Sequence, residues 1–248
     1  MNLLVDIGNS RIKFIQQDNH GLSGYRVDVY DKSRIAQSLD NLWGELPVPD
    51  QIWIANVAGS EAADQIGRWV ERHWHKKPAF AVVEKQLFGV TNAYMEINKL
   101  GIDRWLALIA TWHKYKSPAC IVSCGTAVTI DGLDHQGTHL GGLIMPGITM
   151  MLQSLHIKTS AIPCIKDTQA TMNLASNTNQ AVVNGCTLAV VSMIEHVLQD
   201  LQREHDGKLK CLITGGDSEN IMNLLTEKFI HEPCLVLEGL ALIAGINS

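Results

Sequence analysis

Two parts of this 248-residue chain run through the same order of elements, and that repetition restricts the fold more than any other feature. The first part starts with an apolar run, Asn2 to Ile7, then a Gly8-Asn9-Ser10 turn, then alternation around Ile12 and Phe14. A third strand is expected over Tyr25 to Tyr30. A helix follows from Asp31 to Leu42, with Ile35, Leu39 and Leu42 on one face. The spacing then predicts a strand at Ile52 to Val57, a helix from Ser60 to about His73, and a short strand at Phe80 to Val83. Ile102, Trp105, Leu106 and Ile109 mark a central helix that ends near Tyr115, before the Ser117-Pro118 break.

The second part repeats this order. Strands are expected at Ala119 to Val122, Ala127 to Leu133 and His139 to Ile144, with a turn at Cys124-Gly125-Thr126. A Met-rich helix follows Pro146-Gly147, and a loop covers Thr159 to Ala170. Then come a long helix (Asn177 to Glu204), a strand (Lys208 to Thr214), a Gly215-Gly216 turn and a helix to Lys228 capped by Asp217 or Ser218. A strand at Pro233 to Leu237 and a helix at Glu238 to Ile246 close the series. Val5-Asp6-Ile7-Gly8-Asn9-Ser10 and Val122-Ser123-Cys124-Gly125-Thr126-Ala127 also match locally. The expectation is an α/β fold of two duplicated domains, residues 1–115 and 116–248.

Composition narrows the partners. The net charge of −5 argues against broad binding to nucleic acid or an anionic membrane, while leaving room for a local basic pocket. The N-terminus reaches Asp6 after a short apolar run, which is not the pattern of a signal peptide, and no apolar run in the sequence approaches the length of a membrane span. The six cysteines show no Cys-x-x-Cys and sit mostly in apolar runs, so a cytoplasmic protein with reduced thiols is expected. His135 and His139 flank a turn, so their spacing of four is a poor metal site.

Four short segments carry chemistry. Gly8, Asn9 and Ser10 can present N–H and side-chain donors to phosphate oxygens, with Arg11 or Lys13 adding positive charge. Asp6 at the strand end suits Mg²⁺ held through water. The same residues also suit an ordinary hairpin turn. Gly125-Thr126-Ala127 is the equivalent turn of the second part, and Gly215-Gly216 could lie flat against an adenine ring or simply join strand to helix. Gly101-Ile102-Asp103-Arg104 opens the central helix; Asp103 is either a cap or an ionised proton acceptor, with Arg104 beside it able to fork onto a carboxylate. Met145, Met150, Met151, Trp105 and Trp112 are expected in the core.

In order and spacing, these segments resemble the type III pantothenate kinases, also seen as the Bvg accessory factor family, over nearly the whole chain. The matching segments are Asp6-Ile7-Gly8-Asn9-Ser10-Arg11-Ile12-Lys13, Asn92-Ala93-Tyr94, Gly101-Ile102-Asp103-Arg104 and Gly125-Thr126-Ala127-Val128-Thr129. Further on come Gly141-Gly142-Leu143-Ile144-Met145-Pro146-Gly147, Thr159-Ser160-Ala161-Ile162-Pro163, Asn177-Thr178 and Thr214-Gly215-Gly216-Asp217.

The resemblance implies two duplicated actin- or ribonuclease-H-like domains, as in actin, sugar kinases and Hsp70, with a nucleotide cleft between them. It implies transfer of the ATP γ-phosphate to the 4′-hydroxyl of pantothenate, the first step of coenzyme A synthesis, by a homodimer using Mg²⁺ and K⁺ or NH₄⁺. It assigns Asp103 as proton acceptor. ATP contacts fall to Asp6, Ile7, Gly8, Asn9, Ser10, Arg11, Ile12, Lys13 and Thr126, and pantothenate contacts to Tyr94, Gly101, Ile102, Asp103, Arg104 and Thr178. Many family members carry Asp as a monovalent-cation ligand where this chain has Ser123, so here only neutral oxygens remain at that position. Two other classes stay open: a non-catalytic accessory or regulatory protein on the same fold, and another small-molecule kinase of the superfamily.

Overall fold

The computed structural model describes residues 1–165, 169–205 and 208–246. Part of the loop expected at 159–170, and the last two residues of the expected second domain, lie outside these. The chain divides into two compact units.

In the first unit, strands β1 (Asn2–Ile7), β2 (Arg11–Asp18), β3 (Gly21–Val29), β4 (Ile52–Asn56) and β5 (Ala79–Phe80) form one sheet in the order β3-β2-β1-β4-β5. β1 runs antiparallel to β2 and parallel to β4. β1 is central and covered on both faces, which accounts for its apolar run Leu3-Leu4-Val5, interrupted only by Asp6 before Ile7. Leu3, Val5 and Ile7 pack with Ile12, Phe14, Ile35, Leu39, Trp43, Ile66, Trp69 and Trp74 in one cluster. The tryptophans belong to helices α1 (Ile35–Trp43) and α2 (Ser60–Trp74), and Trp43 stacks on Trp74 with ring centroids 5.7 Å apart. A small hairpin, β6 (Gln86–Leu87) with β7 (Val90–Thr91), precedes helix α3 (Ile102–Tyr115).

The second unit repeats the pattern. Strands β8 (Ala119–Cys124), β9 (Ala127–Leu133), β10 (His139–Pro146), β11 (Lys210–Thr214) and β12 (Ile230–His231) are ordered β10-β9-β8-β11-β12. Helices α4 (Ile148–Lys158), α5 (Thr178–Glu204) and α6 (Ser218–Met222) belong to this unit. Val190, Ile194 and Leu198 of α5 pack with Val122, Val128, Ile130 and Ile213 of the sheet. The sheet orders of the two units are identical, as a duplication requires.

Several boundaries differ from the sequence expectation. β3 begins at Gly21 rather than Tyr25: Gly21 pairs with Asp18, and a register shift between Phe14 and Gln16 takes up Gly24, which marks a bulge. β3 is an edge strand exposed at every residue; Tyr25, Val27 and Val29 alternate with Arg26 and Asp28, but Gly21 to Gly24 carry no such alternation, so only its second half is announced. The expected strand at Pro233 to Leu237 is instead the start of helix α7 (Leu235–Ile246). The sheet ladder ends where Glu232 N–H donates to the Ile213 carbonyl, immediately before Pro233, which has no N–H to offer. The apolar run after it reads equally well as a buried strand or a buried helix. Helix α6 stops at Met222 instead of Lys228, and the Thr226 N–H and hydroxyl are taken by Glu195.

The unit boundary departs from 116–248 as well. The first unit contains Met1–Lys114 together with the chain from Cys234 onward, and the second is Tyr115–Pro233. α7 packs on β1, β2 and β4, and the Ala241 carbonyl accepts from Gln17 Nε2 at 3.4 Å. Contrary to the sequence expectation, α5 is long and apolar enough to cross a membrane by length and composition; its buried face is a core surface of the second unit.

Candidate active site

In the first unit, the β1–β2 turn is closed by Gly8 N–H donating to the Arg11 carbonyl at 3.0 Å. The Gly8 carbonyl accepts from the Tyr30 hydroxyl at 2.8 Å, and Asn9 Oδ1 accepts from Lys32 Nζ at 2.7 Å. Tyr30 and Lys32, which sequence reasoning missed, therefore brace the turn. Asn9 and Ser10 are exposed, Gly8 and Arg11 half-buried. The Ile7 and Ile12 side chains are wholly in the core, so those two residues offer a ligand only their backbone.

Asp6 lies opposite Lys13 in the β1–β2 register, with Lys13 Nζ 3.6 Å from Asp6 Oδ2. Its side chain is buried, and its pKa is raised from 3.8 to about 6. Burial is the main cause; Lys13 opposes it, and the negative charge of Asp103 adds to it. The sheet thus brings Asp6 into the electrostatic field of Asp103. The Asp6 carboxylate, with Lys13 beside it, suits a hard divalent cation such as Mg²⁺ held through water rather than by a closed set of protein ligands.

α3 opens where Trp105 N–H donates to the Gly101 carbonyl at 3.0 Å. Asp103 Oδ1 accepts from the Arg104 N–H at 2.9 Å, which orients the carboxylate at the positive end of the helix. A Cβ on Gly101 would stand 2.6 Å from Asp103 Oδ1, so the glycine leaves the space this carboxylate uses. Arg104 is 5% exposed, and its Nη1 donates to the Tyr94 hydroxyl at 2.8 Å. Tyr94, Gly101, Asp103 and Arg104 therefore form one constellation, with Ile102 buried behind it.

In the second unit, the β8–β9 turn is closed by Gly125 N–H donating to the Ala127 carbonyl at 3.1 Å, and Thr126 is exposed on it. Gly147 N–H donates to the Thr126 carbonyl at 2.9 Å. Gly215 has φ +99°, and a Cβ there would stand 2.1 Å from the Cys124 carbonyl oxygen. That close approach puts the Gly215-Gly216 turn against the end of β8, where Asp217 N–H donates to the same carbonyl. Burial pushes the Cys124 thiol up to about 12, so it is a core group rather than a nucleophile. Ser123 pairs in register with Thr129 on one side and Thr214 on the other, which sets three hydroxyl residues across adjacent strands. Thr214 Oγ1 is buried without a hydrogen-bond partner among the described residues.

Thr178 is the first residue of α5 and exposed. The cap is Asn177, whose Oδ1 accepts from Gln180 N–H at 2.9 Å. His139 is buried with Nε2 2.8 Å from Asp131 Oδ1, on the strand facing it.

The sequence model of type III pantothenate kinases matches residues 2–200. The chain belongs to the type III pantothenate kinase family. A type III pantothenate kinase of Nitrosococcus oceani is 40% identical over all of this chain and 95% of its own length. Among solved structures, a Baf family protein from Campylobacter jejuni superposes with a TM-score of 0.64 at 24% identity, covering 99% of this chain and 98% of that one. The activator of the 2-hydroxyisocaproyl-CoA dehydratase from Clostridium difficile, with bound ADPNP, does so with a TM-score of 0.56 at 12% identity, covering 99% and 94%. The fold is the duplicated actin-like α/β fold shared with sugar kinases. As a type III pantothenate kinase, the protein is an ATP-dependent phosphotransferase that acts on pantothenate.

Proposed function

We propose that Asp103 is the proton acceptor of this pantothenate kinase and that Tyr94, Gly101, Ile102, Arg104 and Thr178 bind pantothenate. The observation that carries this is the Asp103–Arg104–Tyr94 constellation at the start of α3: a carboxylate oriented by its neighbour's amide, beside a buried guanidinium whose direction a tyrosine fixes. The pantothenate hydroxyl oxygen forms a bond to the γ-phosphorus while its proton passes to Asp103. The bond from that phosphorus to the bridging oxygen breaks, and ADP leaves. Arg104 suits the carboxylate or another polar group of pantothenate. ATP is assigned to the backbone and side chains of Asp6 to Lys13 in one unit and to Thr126, Gly215 and Gly216 in the other. Mg²⁺, when bound, neutralises phosphate charge, and Asp6 would hold it through water.

The test is ADP release with and without pantothenate. Release that depends on pantothenate supports this function. Release only with another hydroxyl substrate would make the protein a different small-molecule kinase, and no turnover with any would leave an accessory protein.

Thr178→Ala is expected to raise the KM for pantothenate several-fold, on the order of one lost hydrogen bond, and to leave the KM for ATP and the melting temperature unchanged. Stability holds because Asn177 carries the cap. A rise confined to the ATP dependence would move Thr178 to the nucleotide.

For the monovalent cation, the row Thr129, Ser123 and Thr214 supplies neutral oxygens only. A unit charge at about 4 Å is worth about 4 kcal/mol at an effective dielectric of 20, most of it offset by dehydration. Ser123→Asp is therefore expected to tighten K⁺ activation by about one to two decades, measured by KCl titration at constant ionic strength. Tight, saturable activation unchanged by the substitution would show that position 123 is irrelevant to the cation.

A cytoplasmic location is supported by six free thiols. A homodimer is supported by the apolar side chains Leu143, Ile144 and Ile157 exposed on β10 and α4, and sedimentation velocity distinguishes it from a monomer.

A further inference from the structure

Asn92 is completely buried, yet it touches neither Asp103 nor the phosphate turns through any bond described above. Its polar atoms are spent on the short segment that leads into α3. Its N–H donates to the Lys85 carbonyl at 2.9 Å, and its carbonyl accepts from Lys85 Nζ at 2.8 Å. Its side-chain Nδ2 donates to the Ile97 carbonyl at 3.3 Å. Its Oδ1 accepts from the Tyr94 N–H at 2.9 Å, closing a turn two residues long.

That turn sets where the Tyr94 ring stands. The Tyr94 hydroxyl accepts from Arg104 Nη1, and the Arg104 guanidinium carbon lies 5.6 Å from the Tyr94 ring centre. A guanidinium buried to 5% exposure has few ways to reorient once one nitrogen is fixed. Asn92 thus reaches the head of α3 through a relay of two bonds, Asn92 to Tyr94 and Tyr94 to Arg104.

We propose that Asn92, with Lys85 clamping its carbonyl, is a positioning residue for pantothenate that acts through Tyr94 on Arg104. The inference rests on the assignment of Tyr94 and Arg104 to pantothenate made above. Asn92 does not meet the substrate; it holds the direction of the cation that does. A chain that lost only this residue keeps Asp103 and both phosphate turns, so the loss falls on pantothenate affinity more than on turnover.

The test is steady-state kinetics of Asn92→Ala, Tyr94→Phe and the double variant, varying pantothenate at saturating ATP and then ATP at saturating pantothenate. Asn92→Ala is expected to raise the pantothenate KM about tenfold, the scale of one hydrogen bond to a charged group, with the ATP KM within about twofold. Tyr94→Phe should raise it by a similar factor, and the double variant no further than the larger single. Asn92→Ser, whose hydroxyl can still accept from the Tyr94 N–H, should recover part of the affinity. Where Asn92→Ala fails to fold, Lys85→Met and Asn92→Ser carry the same measurement.

Multiplicative effects in the double variant would overturn the relay. So would equal rises in both KM values, which would mark Asn92 as a general support of the fold. If Tyr94→Phe raises the pantothenate KM and Asn92→Ala does not, the positioning role alone fails. If Tyr94→Phe leaves it unchanged, the assignment of Tyr94 to pantothenate fails, and the relay with it.

Discussion

Asp103→Asn is expected to lower the turnover number at saturating ATP and pantothenate by about 10²–10⁴-fold, the range for loss of a general base. The amide keeps the shape of the carboxylate and can still accept the Arg104 N–H through its oxygen, so α3 should open as before. What disappears is the negative charge that takes the hydroxyl proton. KM values near those of the unaltered protein, together with the rate loss, would separate a chemical defect from a folding one. A drop of less than about tenfold would remove Asp103 from that role.

The second large effect concerns Asp6, where activity and stability should move in opposite directions. Asp6→Asn is expected to cost at least about 100-fold in activity, because the carboxylate proposed to serve the metal is gone. The same substitution should stabilise the fold at high pH. The pKa of Asp6 is higher in the folded protein, about 6, than its ordinary 3.8. The folded state therefore holds the proton more tightly than the unfolded one. This contribution is complete below pH 3.8 and is lost as pH rises through about 6. Above that, the ionised form costs about 3 kcal/mol, reduced in the variant comparison because Lys13 also loses its partner. Melting curves in metal-free buffer should coincide near pH 4 and separate by pH 8, with the Asn form melting higher. A gap that does not widen with pH would contradict the burial of Asp6 as the cause. In the unaltered protein, activity should rise between pH 5 and 7 as Asp6 ionises.

Much of this was legible in the sequence, for identifiable reasons. Strands buried on both faces, such as β1 and β8, write themselves as apolar runs, and the turns after them show as Gly8-Asn9-Ser10 and Gly125-Thr126-Ala127. Asp103 and Arg104 stood out because two charges at the mouth of an apolar helix need an explanation. β3 was legible only in its second half: Tyr25, Val27 and Val29 alternate with Arg26 and Asp28, whereas Gly21-Leu22-Ser23-Gly24 carries no strand pattern. The run Leu235 to Leu237 was misread because a short apolar stretch has the same face in a strand and in a buried helix. Asn92 was visible only as one letter of Asn92-Ala93-Tyr94, since an asparagine that binds four backbone and side-chain partners looks in sequence like any loop asparagine. Tyr30 and Lys32 reach the first turn from more than twenty residues away, and no local pattern carries that.

The return of α7 to the first unit has a consequence for how the protein is made. Translation delivers Met1 to Lys114 before the second unit, yet the helix that covers β1, β2 and β4 follows the whole of that unit in the chain. Until α7 emerges, the nascent first unit exposes the surface of β1, β2 and β4 that this helix covers. The second unit, Tyr115–Pro233, is complete in the chain before that moment and can finish folding while its elder neighbour waits. A ribosome that stalls before α7 would thus hold a chain whose second unit is sound and whose first unit is sticky, a ready substrate for chaperones and proteases.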